Sequence, residues 1–369
     1  MLLALLLGGC LPDPRPYDPC KDEFTYYSVP PIGCNGHQLT VLASVALPNF
    51  DGSLGFYGLT PNRITTDSDY VYWEGPFGVL LQTPKHGGET VRLREAPANA
   101  GYLELQSVDN KLYVLAVDNP GGSNVSLVTL DCIDKTTRQN DTISSYAVAY
   151  NGVLTYGFQI RGDKFYTNTS QSPLQCLMEG SLSQTDALSS NYRCATSYQP
   201  YRFSVTERGI VYVAWRPGSW ALYFEDSLRA APQPLCETGT RVSAFAVEGD
   251  YVYWVGCPFG DGPTVAGCSR YRSDLAGTKE VLIEDVGHPF TAIGDAHQLY
   301  AQTSFTQEWP PSRLYAWAAP GLRPVVVAAG IPYTVAMTMD DKSIYTITAT
   351  DGADGYPAIE LLRIEREHE

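Results

Sequence analysis

One pattern recurs seven times along this chain: an alternating apolar stretch, a tight turn holding an acidic residue, and a second alternating stretch centred on tyrosine. It reads ITTDSDYVYW (64–73), LQSVDNKLYVL (105–115), FQIRGDKFYT (158–167) and FSVTERGIVYVAW (203–215), then FAVEGDYVYW (245–254), FTAIGDAHQLYA (290–301) and YTVAMTMDDKSIYTI (333–347). The anchoring tyrosines are Tyr72, Tyr113, Tyr166, Tyr212, Tyr253, Tyr300 and Tyr345, spaced by 41, 53, 46, 41, 47 and 45 residues. Units this short cannot bury a core alone, so similar units must stack on one another.

Each unit is all-β. Period-two alternation sends tyrosine and valine to opposite faces, and β-branched and aromatic residues suit a pleated strand. A third and fourth strand follow in each unit, as in LLQTPK and ETVRL around the turn HGG, or SRYRSDL and KEVLIED around AGT. Four short antiparallel strands every 40–50 residues mark the blade of a β-propeller, so seven four-stranded blades are expected. Six blades, or a pair of β-sandwiches, are the alternatives. The seventh unit is one strand short, whereas QLTVLASVAL (38–47) is an alternating strand without a unit of its own. That N-terminal strand is expected to complete the last blade, closing the ring and removing an exposed edge.

With strands named A to D within a blade, the A–B and C–D turns share one face of the disc; the B–C and D–A connections share the other. The A–B turns carry Asp67, Asp109, Asp163, Glu207, Glu248, Asp295 and Asp340. Tight turns select such residues, and no calcium-loop run of alternating aspartates occurs, so neither metal nor cofactor is expected. The B–C loops are longer, rich in Gly and Pro, and hold Phe77, Trp220, Phe259, Trp309 and Tyr356. Aromatics on loops suit recognition, which makes this the expected binding face; folding back over the blade ends is the plainer alternative.

The chain opens with MLLALLLGGC, an apolar run closed by Gly8-Gly9-Cys10, too short to span a bilayer. It resembles the lipobox of bacterial lipoproteins, in which the signal peptide is cut before the cysteine and the thiol carries a lipid. That resemblance implies a signal peptide at 1–9 and a lipid on Cys10. It also implies attachment to the bacterial cell envelope, at the outer membrane, facing the periplasm or the cell surface. LPDPRPYDP (11–19) reads as an extended spacer, so 10–37 is expected to be a tether containing Cys20 and Cys34, and 38–369 a single propeller domain. Eight cysteines remain beside Cys10, an even set suited to an oxidising compartment. Cys257 and Cys268 flank a Gly/Pro-rich loop; Cys20 with Cys34 and Cys176 with Cys194 are local candidates. Cys132 with Cys236 is a remainder, and 132–176 with 194–236 stays open.

The formal net charge of −15 argues against nucleic acid as a partner. Tyr72-Trp73 and Tyr253-Trp254, each preceded by an acidic turn, resemble YWTD-type propeller repeats and, more loosely, those of exported bacterial propeller lipoproteins. The Thr-Asp half of that motif is absent. The resemblance implies binding more often than catalysis. No nucleophile elbow, zinc-protease motif or phosphate loop occurs. His288, before the sixth inner strand, is the one candidate general base; His297 lies in an A–B turn. The expectation is an envelope-anchored module that binds or scaffolds a protein, peptide or glycan. An extracytoplasmic lyase or hydrolase acting on polysaccharide or peptide is the alternative.

Overall fold

A computed structural model describes residues 18–21, 31–47, 63–95, 100–118, 125–149, 157–171, 174–183, 188–195, 199–216, 219–226, 232–238, 241–257, 267–304, 313–317, 323–331, 334–351 and 357–366. Two strands, β1 (Ile32–Gly33) and β2 (Leu39–Ala46), precede the first repeat. Blade one is β3 (Ile64–Thr66), β4 (Tyr70–Gly75), β5 (Val79–Pro84) and β6 (Val91–Glu95). Blade two is β7 (Ala100–Val108), β8 (Lys111–Asp118), β9 (Val125–Asp134) and β10 (Asn140–Ala149). Blade three is β11 (Phe158–Arg161), β12 (Lys164–Gln171), β13 (Leu174–Ser181) and β14 (Leu188–Ala195). Blade four is β15 (Gln199–Val205), β16 (Ile210–Arg216), β17 (Ser219–Glu225) and β18 (Gln233–Glu237). Blade five is β19 (Arg241–Glu248), β20 (Tyr251–Cys257), β21 (Ser269–Asp274) and β22 (Lys279–Ile283). Blade six is β23 (His288–Gly294), β24 (Leu299–Ser304), β25 (Arg313–Trp317) and β26 (Val325–Ala329). Blade seven is β27 (Thr334–Met339), β28 (Ser343–Asp351) and β29 (Pro357–Glu365), completed by β2.

All seven sheets are antiparallel meanders, and their inner strands touch in sequence from β3 through β27 and back to β3. The ring closes as expected: β2 pairs with β29 from Leu39 opposite Ile364 to Ala46 opposite Ala358. A feature the repeat did not announce is β1, which adds a fifth strand to the outer edge of blade six by pairing with β26. The last residues of the segment read as a tether are therefore fixed to the body.

The core is divided into seven apolar clusters, one at each interface between blades. Alternation explains this: even and odd residues of one strand serve the two neighbouring interfaces. In blade seven, Tyr345 and Ile347 face blade one, whereas Ile344 and Leu362 face blade six. All seven anchoring tyrosines are at most 7% exposed. Six of the seven follow one phase. Tyr212 is displaced by one residue and packs against blade three, where it stacks on Tyr223 and donates to Glu225 Oε1 at 2.6 Å. The turn Thr206–Gly209 matches those of blades one, six and seven in length, but the tyrosine stands six residues past its first residue instead of five, so Val211 takes the place of their tyrosine.

Cys20 is joined to Cys34, and Cys257 to Cys268. The register sets Cys176 opposite Cys194 across β13 and β14, though their side chains lie outside the described residues. The expectation that every remaining cysteine is paired is corrected at Cys132 and Cys236, which are free thiols. Cys132 is buried between blades two and three and Cys236 packs between blades four and five, so they cannot meet.

Candidate functional site

Backbone hydrogen bonds tie the A–B and C–D turns of one blade together. The amides of Lys85, Lys135, Leu182, Leu275 and Arg366, each just past strand C, donate to carbonyls of Asp69, Asn110, Asp163, Asp250 and Lys342 in their own A–B turns. The two turn sets therefore share a face, as the strand order requires.

Among the described residues, three interfaces on that face carry a clasp of turn aspartate, cation and tyrosine. Asp67, Asp295 and Asp340 each use Oδ1 to accept two amides of their own turn, two and three residues on, at 2.8–2.9 Å. The Oδ2 atom takes the cation of the neighbouring blade, and in Asp67 and Asp340 it also accepts from the hydroxyl of the tyrosine five residues on, at 2.8 and 3.1 Å. Lys135 Nζ of blade two reaches Asp67 Oδ2 at 2.7 Å, Arg366 of blade seven reaches Asp295 at 2.6 Å, and Lys85 of blade one reaches Asp340. Each cation also lies over the tyrosine five residues beyond its aspartate: Lys135 over Tyr72, Lys85 over Tyr345, Arg366 over Tyr300, at 5.2–5.6 Å from the ring centres. Burial acts to raise the pKa of each aspartate. For Asp67 and Asp340 the cation, and for Asp295 first the Gln298 amide and then Arg366, outweigh it and hold the carboxyl below its ordinary range. At the interface of blades two and three, apolar Val108 and Leu182 pack against the shared core cluster instead.

The clasp between blades seven and one walls a cleft of about 820 Å³, lined by Lys85, His86, Asp340, Lys342, Arg363 and Arg366 among others. A smaller cleft of about 560 Å³ lies between blades three and four, around Arg161, Tyr166, Glu179, Glu207 and Asp226. Burial, aided by the charge of Glu179, pushes Tyr166 up to about 12. Arg161-Gly162-Asp163 is a hairpin turn whose arginine donates to Val205 O at 3.1 Å, an ordinary structural use.

The centre of the ring holds a third feature. Five inner strands carry a register irregularity near the same height, and Glu104 and Arg202 immediately follow it in blades two and four. Such a bulge re-aims the side chains beside it. Burial pushes the Glu104 carboxyl up, while Arg63 of blade one and Arg202 of blade four draw it down. Blades two and four share no interface, so Glu104 and Arg202 act on one another across the centre of the ring, while Arg63 belongs to the adjoining blade one.

Of the sequence candidates, Trp220 is described. It is the second residue of β17, at the B–C end opposite Trp215, and is half-buried against the core between blades four and five. Phe77 sits in a short 3-10 turn between β4 and β5, and His288 opens β23; their side chains lie outside the described residues. Trp309, Phe259, Tyr356 and Cys10 lie outside them altogether. Glu104, Arg63, Arg202 and the clasp cations were missed. The clasps had a signal: Asp and Tyr five apart in units one, six and seven, with a basic residue just past strand C in units one, two and seven.

No family model matches this chain, and no curated protein matches it by sequence. Solved structures do. A chain of the mitotic checkpoint complex aligns over 100% of both chains with a TM-score of 0.56 at 11% identity. Oligogalacturonate lyase from Vibrio parahaemolyticus aligns over 91% of this chain and 99% of its own, with a TM-score of 0.55 at 11% identity. The β-propeller domain of the trilobed protease from Pyrococcus furiosus covers 84% and 93%, with a TM-score of 0.53 at 13% identity. What these likenesses share is the fold, and the chain is a seven-bladed β-propeller.

Proposed function

We propose that this propeller is an envelope lipoprotein, anchored through Cys10, whose body binds or scaffolds a protein, peptide or glycan outside the cytoplasm. The observation that carries the reading is the pair of disulfides, Cys20–Cys34 and Cys257–Cys268, in a chain that opens with MLLALLLGGC. Disulfides persist where the environment is oxidising, and a lipobox supplies the address. The binding surface in this reading is the B–C face, with Trp220 and Trp309 as anchors. Metabolic labelling with a fatty acid tests the address: wild type should take up label and partition with membranes, and Cys10→Ser should do neither. Unlabelled wild type would refute the anchor. Cross-linking in intact envelope tests the face, since contacts confined to the A–B turns would move the site to the other side of the disc.

A second reading rests on Glu104. A carboxyl pushed up by burial, in a central channel beside two arginines, has what a proton donor to a glycosidic or peptide leaving group needs. An extracytoplasmic hydrolase or lyase would lose turnover on Glu104→Gln; a binding module would not change its affinity at the B–C face.

A further inference from the structure

The N-terminal segment crosses the thickness of the disc, and a disulfide decides where it begins to do so. Arg313, the first residue of β25, donates from Nε to Pro19 O at 3.0 Å, beside the B–C loop of blade six. Cys20 is bonded to Cys34 there. Ile32 and Gly33 pair with Ala329 and Ala328 at the D–A end of β26, and the Cys34 amide donates to Val327 O. The chain then descends the rim: Asn35 Nδ2 donates to Val326 O and His37 Nδ1 to Glu365 O, both at 2.8 Å. It enters β2 at Leu39, on the opposite, A–B/C–D face of blade seven.

We propose that the Cys20–Cys34 bond sets which face of the propeller lies against the phospholipid surface. This rests on the reading of Cys10 as the anchor. With the bond closed, ten residues separate anchor and body, a span of at most about 36 Å for a body roughly 50 Å across. The B–C/D–A rim of blade six is then held at the bilayer, and the cleft between blades seven and one points away from it. With the bond absent, the first hold is the β1–β26 pairing at Ile32, 22 residues from the anchor, and a leash of up to about 79 Å, longer than the body is wide, fixes no orientation.

The geometry can be tested apart from the lipid. A Cys10→Ser chain with an oligohistidine tag in place of residues 1–9 is held on phosphatidylcholine vesicles containing a nickel-chelating lipid and a headgroup acceptor dye. A fluorescent amino acid is placed at Glu284, exposed on the D–A connection beside blade six, or at Asp163, exposed on an A–B turn of blade three. Energy transfer from position 284 should exceed that from 163 by about threefold or more, because the leash is shorter than the body is wide. Cys20→Ser/Cys34→Ser should bring the two positions level. So should an insert of about 20 Gly/Ser residues after position 10, which touches nothing in the fold. Equal transfer with the bond closed and the short tether would overturn the proposal, as would a ratio unmoved by the insert. Fatty-acid labelling of the native protein decides the anchor separately: a preserved ratio without labelling leaves the strap geometry standing and removes the anchor.

Discussion

Lys85 of blade one and Asp340 of blade seven meet across the seam at which the ring closes, with Tyr345 beneath the ammonium. The Lys85 side chain is 7% exposed and that of Asp340 20%, so little water screens the pair. Its two relatives, Asp67–Lys135 and Asp295–Arg366, lie at the interfaces on either side. Ionic clasps thus bracket blade seven, the blade assembled from both ends of the chain, and extend one interface further. Closure there depends on a strand that arrives from the far end of the sequence, and at this seam a specific charge pair adds to the apolar packing that joins blades seven and one.

Removing one partner should show this. Lys85→Ala leaves Asp340 half-buried without its cation and should cost about 2–3 kcal/mol, below the cost for a fully buried pair because the turn amides and Tyr345 remain. Arg208→Ala breaks an exposed pair with Asp250 and should cost less than about 1 kcal/mol. Urea denaturation of both variants reads the difference; equal midpoints would show that the clasp adds nothing to the seam.

Acid should open the same seam. The folded values of Asp67, Asp295 and Asp340 lie below their ordinary value of 3.8. A depressed carboxyl contributes stability that is present above its unfolded value and lost as pH falls through the folded one. Thermal midpoints should therefore hold steady from neutrality towards pH 4 and fall steeply below it. Asp340→Asn should flatten the acid limb while lowering the plateau. An acid limb unchanged in this variant would assign the loss to other groups.

Much of this architecture was legible beforehand, for a physical reason. Blade number, strand phase and closure by the N-terminal strand follow from alternation, which every blade must obey to bury its two faces. Tyr212 broke the phase because it stands one residue further from its turn than the tyrosines of blades one, six and seven, whose turns have the same length, and a motif centred on tyrosine does not read that offset. The channel charges were invisible for a different reason. Arg63, Glu104 and Arg202 come from three blades, and only the curvature of the ring brings them within electrostatic reach of one another. Cysteine parity misled because counting assigns partners without distance, and Cys132 and Cys236 lie in blades that do not touch.

Thiol chemistry should separate the cysteines cleanly. Burial pushes the thiols of both Cys132 and Cys236 up, which lowers their thiolate fraction and their reactivity. Alkylation of native protein should spare Cys132, and unfolding without reductant should expose both it and Cys236. Peptide mapping should recover Cys257 bonded to Cys268, and breaking that bond should cost up to about 3 kcal/mol from the unfolded-chain entropy alone. Rapid native labelling of Cys132 would contradict its place between blades two and three.

Gly180 should tolerate no side chain. It lies opposite Phe165 in the pairing of β12 and β13, and a Cβ there would come within 2.2 Å of the buried Phe165 ring. Gly180→Ala must push that ring into the core between blades two and three, which should cost about 1–3 kcal/mol. A combined Phe165→Leu/Gly180→Ala variant should recover part of the loss. Full stability in the single variant would mean that the ring has room to move.

Glu104 should behave oppositely to the clasp aspartates. Its folded value is raised by burial, so the ionised form carries a penalty that appears as pH rises from the unfolded value towards the folded one and is absent below both. Glu104→Gln keeps the shape and removes the charge. At neutral pH it should raise the thermal midpoint, by roughly 1–3 °C for a shift of about 1 kcal/mol in a chain of this size. Below pH 4 the gain should vanish, because wild-type Glu104 is then protonated as well. Arg202→Gln should act in the other sense, since it withdraws one of the two cations that favour the carboxylate and leaves Glu104 more costly to ionise. Midpoints measured across pH for the two variants decide the matter: a Glu104→Gln protein less stable than wild type at pH 7 would mean that Arg63 and Arg202 outweigh burial, and that the channel is held together by the charge rather than strained by it.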